Sequence, residues 1–168
     1  MKLKIFIGSI LLGASVLFLS CYEGHGLSPS AESVTNSGIS GRITFIGAWP
    51  DSTKEVRIAV LEEYPKGIEN PDELFSFVLT HLVTFSDTIP RYVDHYDYDL
   101  TLDPGEYGWI LVAWFPKIEN YLLGVKELGA YYETEQDPSP VTVVRNYITK
   151  GIDMEAAFDN VYQDTPFF

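Results

Sequence analysis

From residue 95 to residue 102 the chain alternates without a slip: Tyr96, Tyr98, Leu100 and Leu102 fall on one parity, His95, Asp97, Asp99 and Thr101 on the other. A two-residue period fits a strand with one buried and one wet face, and no helix can satisfy it. The pattern recurs where Ile39, Gly41, Ile43 and Phe45 oppose Arg42 and Thr44, and where Val56, Ile58 and Val60 flank Arg57. Tyr107 to Phe115 are apolar on both parities apart from Gly108, as in a central strand covered on both faces. Shorter strands are predicted at Leu82–Phe85, from Val141 and Val143, and from Ile152, Met154, Ala156 and Phe158. About seven strands at this spacing predict an all-β chain, a single antiparallel β-sandwich in which two sheets each hide one face.

Turn chemistry punctuates these runs. Trp49-Pro50-Asp51-Ser52 joins the first two strands. Asp103-Pro104-Gly105-Glu106 places Pro second and Gly third, which predicts a type II turn. Thr149-Lys150-Gly151 predicts a late hairpin. Pro71-Asp72-Glu73-Leu74 predicts one short helix running to about Val78, because Pro and acids suit a helix N-terminus.

The first twenty residues read as a secretory signal, with Lys2 and Lys4 ahead of an apolar run from Ile5 to Leu19. That run is shorter than the roughly 20 residues a membrane span requires. It ends at Phe18-Leu19-Ser20-Cys21, which resembles a bacterial lipoprotein signal, with Phe18 where that family usually has Leu. The resemblance implies cleavage before Cys21 and a lipid on its thiol. It also implies a location in the bacterial cell envelope, and Tyr22 in place of an Asp favours the outer membrane. The expected organisation is a signal peptide at 1–20, a flexible Gly- and Ser-rich tether at 21–38, and the sandwich at 39–168. Removing the signal takes two of the 11 basic residues and none of the 24 acids, so the mature charge is 9 − 24 = −15.

Leu102-Asp103-Pro104-Gly105-Glu106-Tyr107, followed by Trp109-Ile110-Leu111-Val112-Ala113, resembles a hairpin of transthyretin-like and carboxypeptidase-regulatory-like domains. Ile39–Phe45 resembles their first strand, and Gly151-Ile152-Asp153-Met154 their last. The resemblance implies a prealbumin- or immunoglobulin-like sandwich and carries no activity with it. Residues 63 to 90 depart from that pattern as an insertion.

A net charge of −13 is unsuited to a phosphate backbone and excludes nucleic acid as an expected partner. One cysteine excludes an intrachain disulfide framework and a Cys-rich zinc site. Gly38-Ile39-Ser40-Gly41 falls short of a nucleophile elbow, and His25, His81 and His95 lie far apart in sequence, so no catalytic residue is assigned.

Two groups of side chains remain as candidate sites. Within 94–103, Asp94, Asp97 and Asp99 are candidate metal ligands, since Ca²⁺ takes six to eight oxygens. The alternative is a solvated sheet face. Trp49, Tyr64 and Trp114 are candidate platforms for a carbohydrate or other ligand, with packing between the sheets as the alternative. Tyr107 and Trp109 are assigned to the core or its rim. Tyr131-Tyr132 and Pro166-Phe167-Phe168 read as packing or a weak interaction edge. The leading expectation is a non-catalytic, lipid-anchored envelope module that needs no cofactor and binds an envelope protein or ligand. A carbohydrate-binding lipoprotein is the second. A metal-dependent enzyme built on the acidic strand is the third.

Overall fold

The computed structural model describes residues 36–134 and 137–163, apart from the side chains of residues 122 and 123. The chain divides into two units, Met1–Ser33 and Val34–Phe168. The segment expected to be a signal, Cys21, the expected tether as far as residue 35, and Pro166-Phe167-Phe168 lie outside the described residues.

The second unit is an all-β sandwich carrying one helix. Its strands are β1 (Gly38–Ile46), β2 (Thr53–Leu61), β3 (Leu82–Phe85), β4 (His95–Thr101), β5 (Gly105–Tyr107), β6 (Trp109–Pro116), β7 (Lys126–Ala130), β8 (Val141–Val143), β9 (Ile148–Lys150) and β10 (Met154–Ala157). The helix α1 is Pro71–His81, inside the segment that read as an insertion. One sheet has the order β10-β1-β4, with β9 also on β1. The second has the order β3-β2-β6-β7, and β5 pairs with β8 in a two-stranded ribbon.

Alternation explains the packing directly. Ile39, Ile43 and Phe45 of β1, with Tyr98 of β4, meet Val56, Ile58 and Val60 of β2 and Ile110, Val112 and Trp114 of β6. All eight residues of β6 are buried, so its second face must also be covered. That cover is α1, whose Leu74, Phe75 and Val78 pack on Ala59, Leu61, Trp109, Leu111 and Ala113. The molecule is therefore three layers deep over β2 and β6: sheet, sheet, helix.

Three local expectations give way. Gly105 opens β5 and is not among the residues with positive φ, so 103–106 is not a type II turn. Residues 149–151 do not close a hairpin. β9 and β10 both run parallel to β1, at Gly38–Ser40 and Ile43–Ile46 respectively. They are one edge strand interrupted at Gly151, which has φ +80°. The interruption sits over Gly41, where a Cβ would collide with the Ile152 carbonyl. The helix runs past Val78 to His81. It starts on Asn70, whose side chain accepts from the Asp72 and Glu73 amides at 2.9 and 3.4 Å.

Candidate functional site

β4 has the faces its alternation requires. Tyr98 is buried and donates its hydroxyl to the Ile152 carbonyl at 2.6 Å, while His95, Asp97 and Asp99 are exposed. The three aspartates are not gathered around one point among the described residues. Asp97 stands opposite Arg42 in the β1–β4 register and takes a two-pronged ion pair from it, at 2.6 and 3.0 Å. That pair holds the Asp97 carboxyl below its usual range. Same-face neighbours on a strand stand roughly 7 Å apart, and opposite Asp97 the adjacent strand places the Arg42 cation. No group of three His, Cys, Asp or Glu side chains among the described residues is placed to hold a metal ion. Asp97 and Asp99 thus lie on the solvated face of β4, and Asp94, also exposed, precedes the strand.

The aromatic candidates separate. Trp114 pairs with Val56 across β2 and β6, faces the inner core, and donates its indole N–H to Thr53 Oγ1 at 2.8 Å. It is a core residue, so the platform expectation is corrected. A strand buried on both faces gives no parity signal that could have shown this. Trp49 is half-buried between Phe45 and Phe158, with ring centroids 4.9 and 4.6 Å away, and donates its N–H to the Val93 carbonyl at 3.1 Å. Beside it, at 6.1 Å, stands Tyr92, which is absent from the candidates that the sequence suggests. Tyr92 is 67% exposed and has φ 64°, a backbone state that costs a bulky residue energy. No sequence pattern marks a left-handed tyrosine.

Tyr64 lies elsewhere, on the helix side of the second sheet. It sits edge-on to the fully buried ring of Trp109, 5.5 Å between centroids. Two features mark this side among the described residues. The first is an apolar cavity of about 70 Å³ between α1 and the sheet, walled by Phe75, Val78, Leu79, Phe85, Trp109 and Ala113 among others. Of these walls Leu79 and Phe85 are the open ones, 58% and 37% exposed, so the mouth lies between the second half of α1 and β3.

The second feature is Glu127. It pairs with Ala113 across β6 and β7, which turns it to the helix side. Only 6% of Glu127 is exposed, and its Oε2 has no hydrogen-bond partner. Burial pushes its carboxyl up to about 8. Burial first, and then the field of Glu127, raise Tyr64 and push Tyr132 up to about 12. The Lys66–Asp137 ion pair, 2.8 Å, lies within reach of Tyr64 and is exposed to solvent. Nothing in Lys126-Glu127-Leu128 signals a buried acid, because a lone Glu in a strand reads as a wet position.

Compared with known proteins, the chain matches no family model, no curated protein and no solved structure. The helix-side face is therefore interpreted through its own chemistry.

Proposed function

We propose that the chain is a non-catalytic module of the bacterial envelope, anchored by a lipid on Cys21, that engages a protein or ligand partner through the helix-side face of its second sheet. The observation that carries the reading is the open apolar cavity rimmed by Leu79 and Phe85. Leaving apolar surface in water costs about 25 cal/mol per Å². Open apolar patches on small domains accordingly tend to mark contact surfaces. The Cys21 anchor rests on the lipoprotein-like signal, and the outer membrane is its proposed destination. Several acyl chains would make attachment effectively permanent.

Two measurements test this reading. In cells, the chain should take up labelled palmitate and sediment with membranes, and Cys21→Ser should abolish the label. A wild-type chain without label defeats the anchor. For the face, thermal unfolding is followed with a panel of envelope extracts and purified polysaccharides. A ligand at 100 times its dissociation constant adds about 2.7 kcal/mol. The stabilisation should disappear when Leu79 and Phe85 are both changed to Ser.

A second reading, a carbohydrate-binding lipoprotein, is favoured by Tyr92, held open beside Trp49 on a strained backbone. There a polysaccharide should stabilise the chain in a way that Tyr92→Ala removes and the Leu79 and Phe85 changes leave intact.

A further inference from the structure

The cavity is next to a sheet edge. In the order β3-β2-β6-β7, β3 is terminal and carries no further strand among the described residues. The Ser86 amide donates to the Ile58 carbonyl at 2.9 Å, which fixes the phase of the ladder. Thr84, opposite Val60, then bonds to β2, and Phe85, opposite Ala59, turns its own N–H and C=O to the open side.

Edge strands are commonly guarded by Lys, Pro or a bulge. Leu82-Val83-Thr84-Phe85 has neither charge nor proline, and its protection is one bulge between Val60 and Leu61. The surroundings are acidic at both ends. Glu62, whose exposed carboxylate stands 4.0 Å from His81, follows the end of β2 that pairs with Leu82, and Asp87 lies two residues beyond Phe85. The nearby Arg57 is taken up by Glu55, at 2.9 Å.

We infer that β3 is a docking edge for an extended peptide that pairs with its open side, inserts one apolar side chain between Leu79 and Phe85, and carries basic residues on either side of that anchor. The inference rests on the proposal that the helix-side face is the contact face, and it names the partner class. A cavity of about 70 Å³ suits one side chain and not a lipid tail. Main-chain pairing supplies the orientation and the pocket supplies selectivity. A second copy of the chain is a poor occupant, because each copy brings a net charge of −13.

The test uses the full chain in phosphatidylcholine nanodiscs, with empty discs as blank. A fluorescent, end-capped peptide Lys-Thr-Val-Leu-Val-Thr-Lys is titrated by anisotropy. Saturable binding is expected, and it should weaken as salt screens the flanking charges. Replacing the central Leu by Asp should abolish binding, and so should N-methylating the peptide on the amides of either edge. Ala113→Val, which fills the cavity from its sheet wall, should lower affinity about ten-fold while the chain unfolds at the same or a higher temperature. Cys21→Ser should leave peptide binding unchanged, so the anchor and the docking edge fail separately. The inference is overturned if no peptide binds, if the Asp or N-methylated peptides bind as well as the parent, or if Ala113→Val binds normally. Self-association through β3 that the peptide cannot displace also overturns it, by assigning the edge to a second copy.

Discussion

The two faces of the second sheet are built from the same strands and behave as opposites. On the inner face, polar atoms that enter the core arrive with partners: Trp114 with Thr53, and Tyr98 with the Ile152 carbonyl. On the helix side, a cavity stands open at Leu79 and Phe85, and the Glu127 carboxyl is buried with Oε2 unpartnered. An unpartnered buried polar atom costs about 1–3 kcal/mol, and a void forfeits the contacts of its lining. The contrast teaches where stability resides. The expectation is that the inner face carries most of the stability and the helix side keeps an imperfect, open surface.

The largest effect should come from the inner face. Tyr98→Ala removes a buried ring and leaves the Ile152 carbonyl without its donor, at a cost of about 3–5 kcal/mol. Leu79→Ala on the open rim should stay within about 0.5 kcal/mol. Urea unfolding of the two variants decides the matter. Similar losses would mean that the helix side is as much a core as the inner face.

Glu127 gives the next effect, and its sign depends on pH. Its carboxyl titrates near 8 in the folded chain against 4.5 as the ordinary value. Between those two pH values the folded state holds a proton that the unfolded state has lost, so stability falls as pH rises from about 5 to 8 and then levels off. Glu127→Gln removes that slope. The variant should equal the wild type near pH 4 and exceed it by a few kcal/mol at pH 8, since each tenfold change in proton affinity is worth roughly 1.4 kcal/mol. Tyr64 and Tyr132 titrate higher still, so neither should mask the effect. Parallel curves for wild type and variant from pH 4 to 8 would show that Glu127 reaches water or a partner.

How much of this contrast is legible in the sequence follows from periodicity. The inner face is legible wherever a strand has one wet side: the parities of β1, β2 and β4 assign Ile43, Ile58 and Tyr98 inward without ambiguity. β6 is wet on neither side, so its letters could not tell Trp109 under the helix from Trp114 between the sheets. The start of α1 is marked by Pro71, Asp72 and Glu73, but its cavity depends on how Phe75 and Val78 rest on a sheet distant in sequence. The late segment misleads for a similar reason. Thr149-Lys150-Gly151 carries hairpin chemistry, and only the parallel pairing of β9 and β10 with β1 overrides it.

A pair of alanines tests the packing difference with opposite signs. Ala156 faces the inner core and is fully buried, so Ala156→Val should overpack it and cost about 1–3 kcal/mol. Ala113 faces the cavity, so Ala113→Val has space to enter and should gain about 0.5–2 kcal/mol. Destabilisation by both changes would mean that the cavity wall is as rigid as the inner core.

The smallest effect is expected at the acidic strand, outside both faces. Asp97 is held below its ordinary pKa of 3.8, first by the hydrogen bond from Arg42. A depressed carboxyl contributes above that ordinary value and loses its contribution as pH falls through its folded pKa. Here the pair is open to water, where side-chain entropy and salt offset most of its attraction. Asp97→Asn should therefore leave the thermal midpoint at pH 7 unchanged within error, and Ca²⁺ should shift neither chain. A Ca²⁺-dependent rise that EDTA reverses and Asp97→Asn abolishes would show that the cation outcompetes Arg42. The strand would then be a site, and the division of the molecule into a closely packed face and an open face would need a third region.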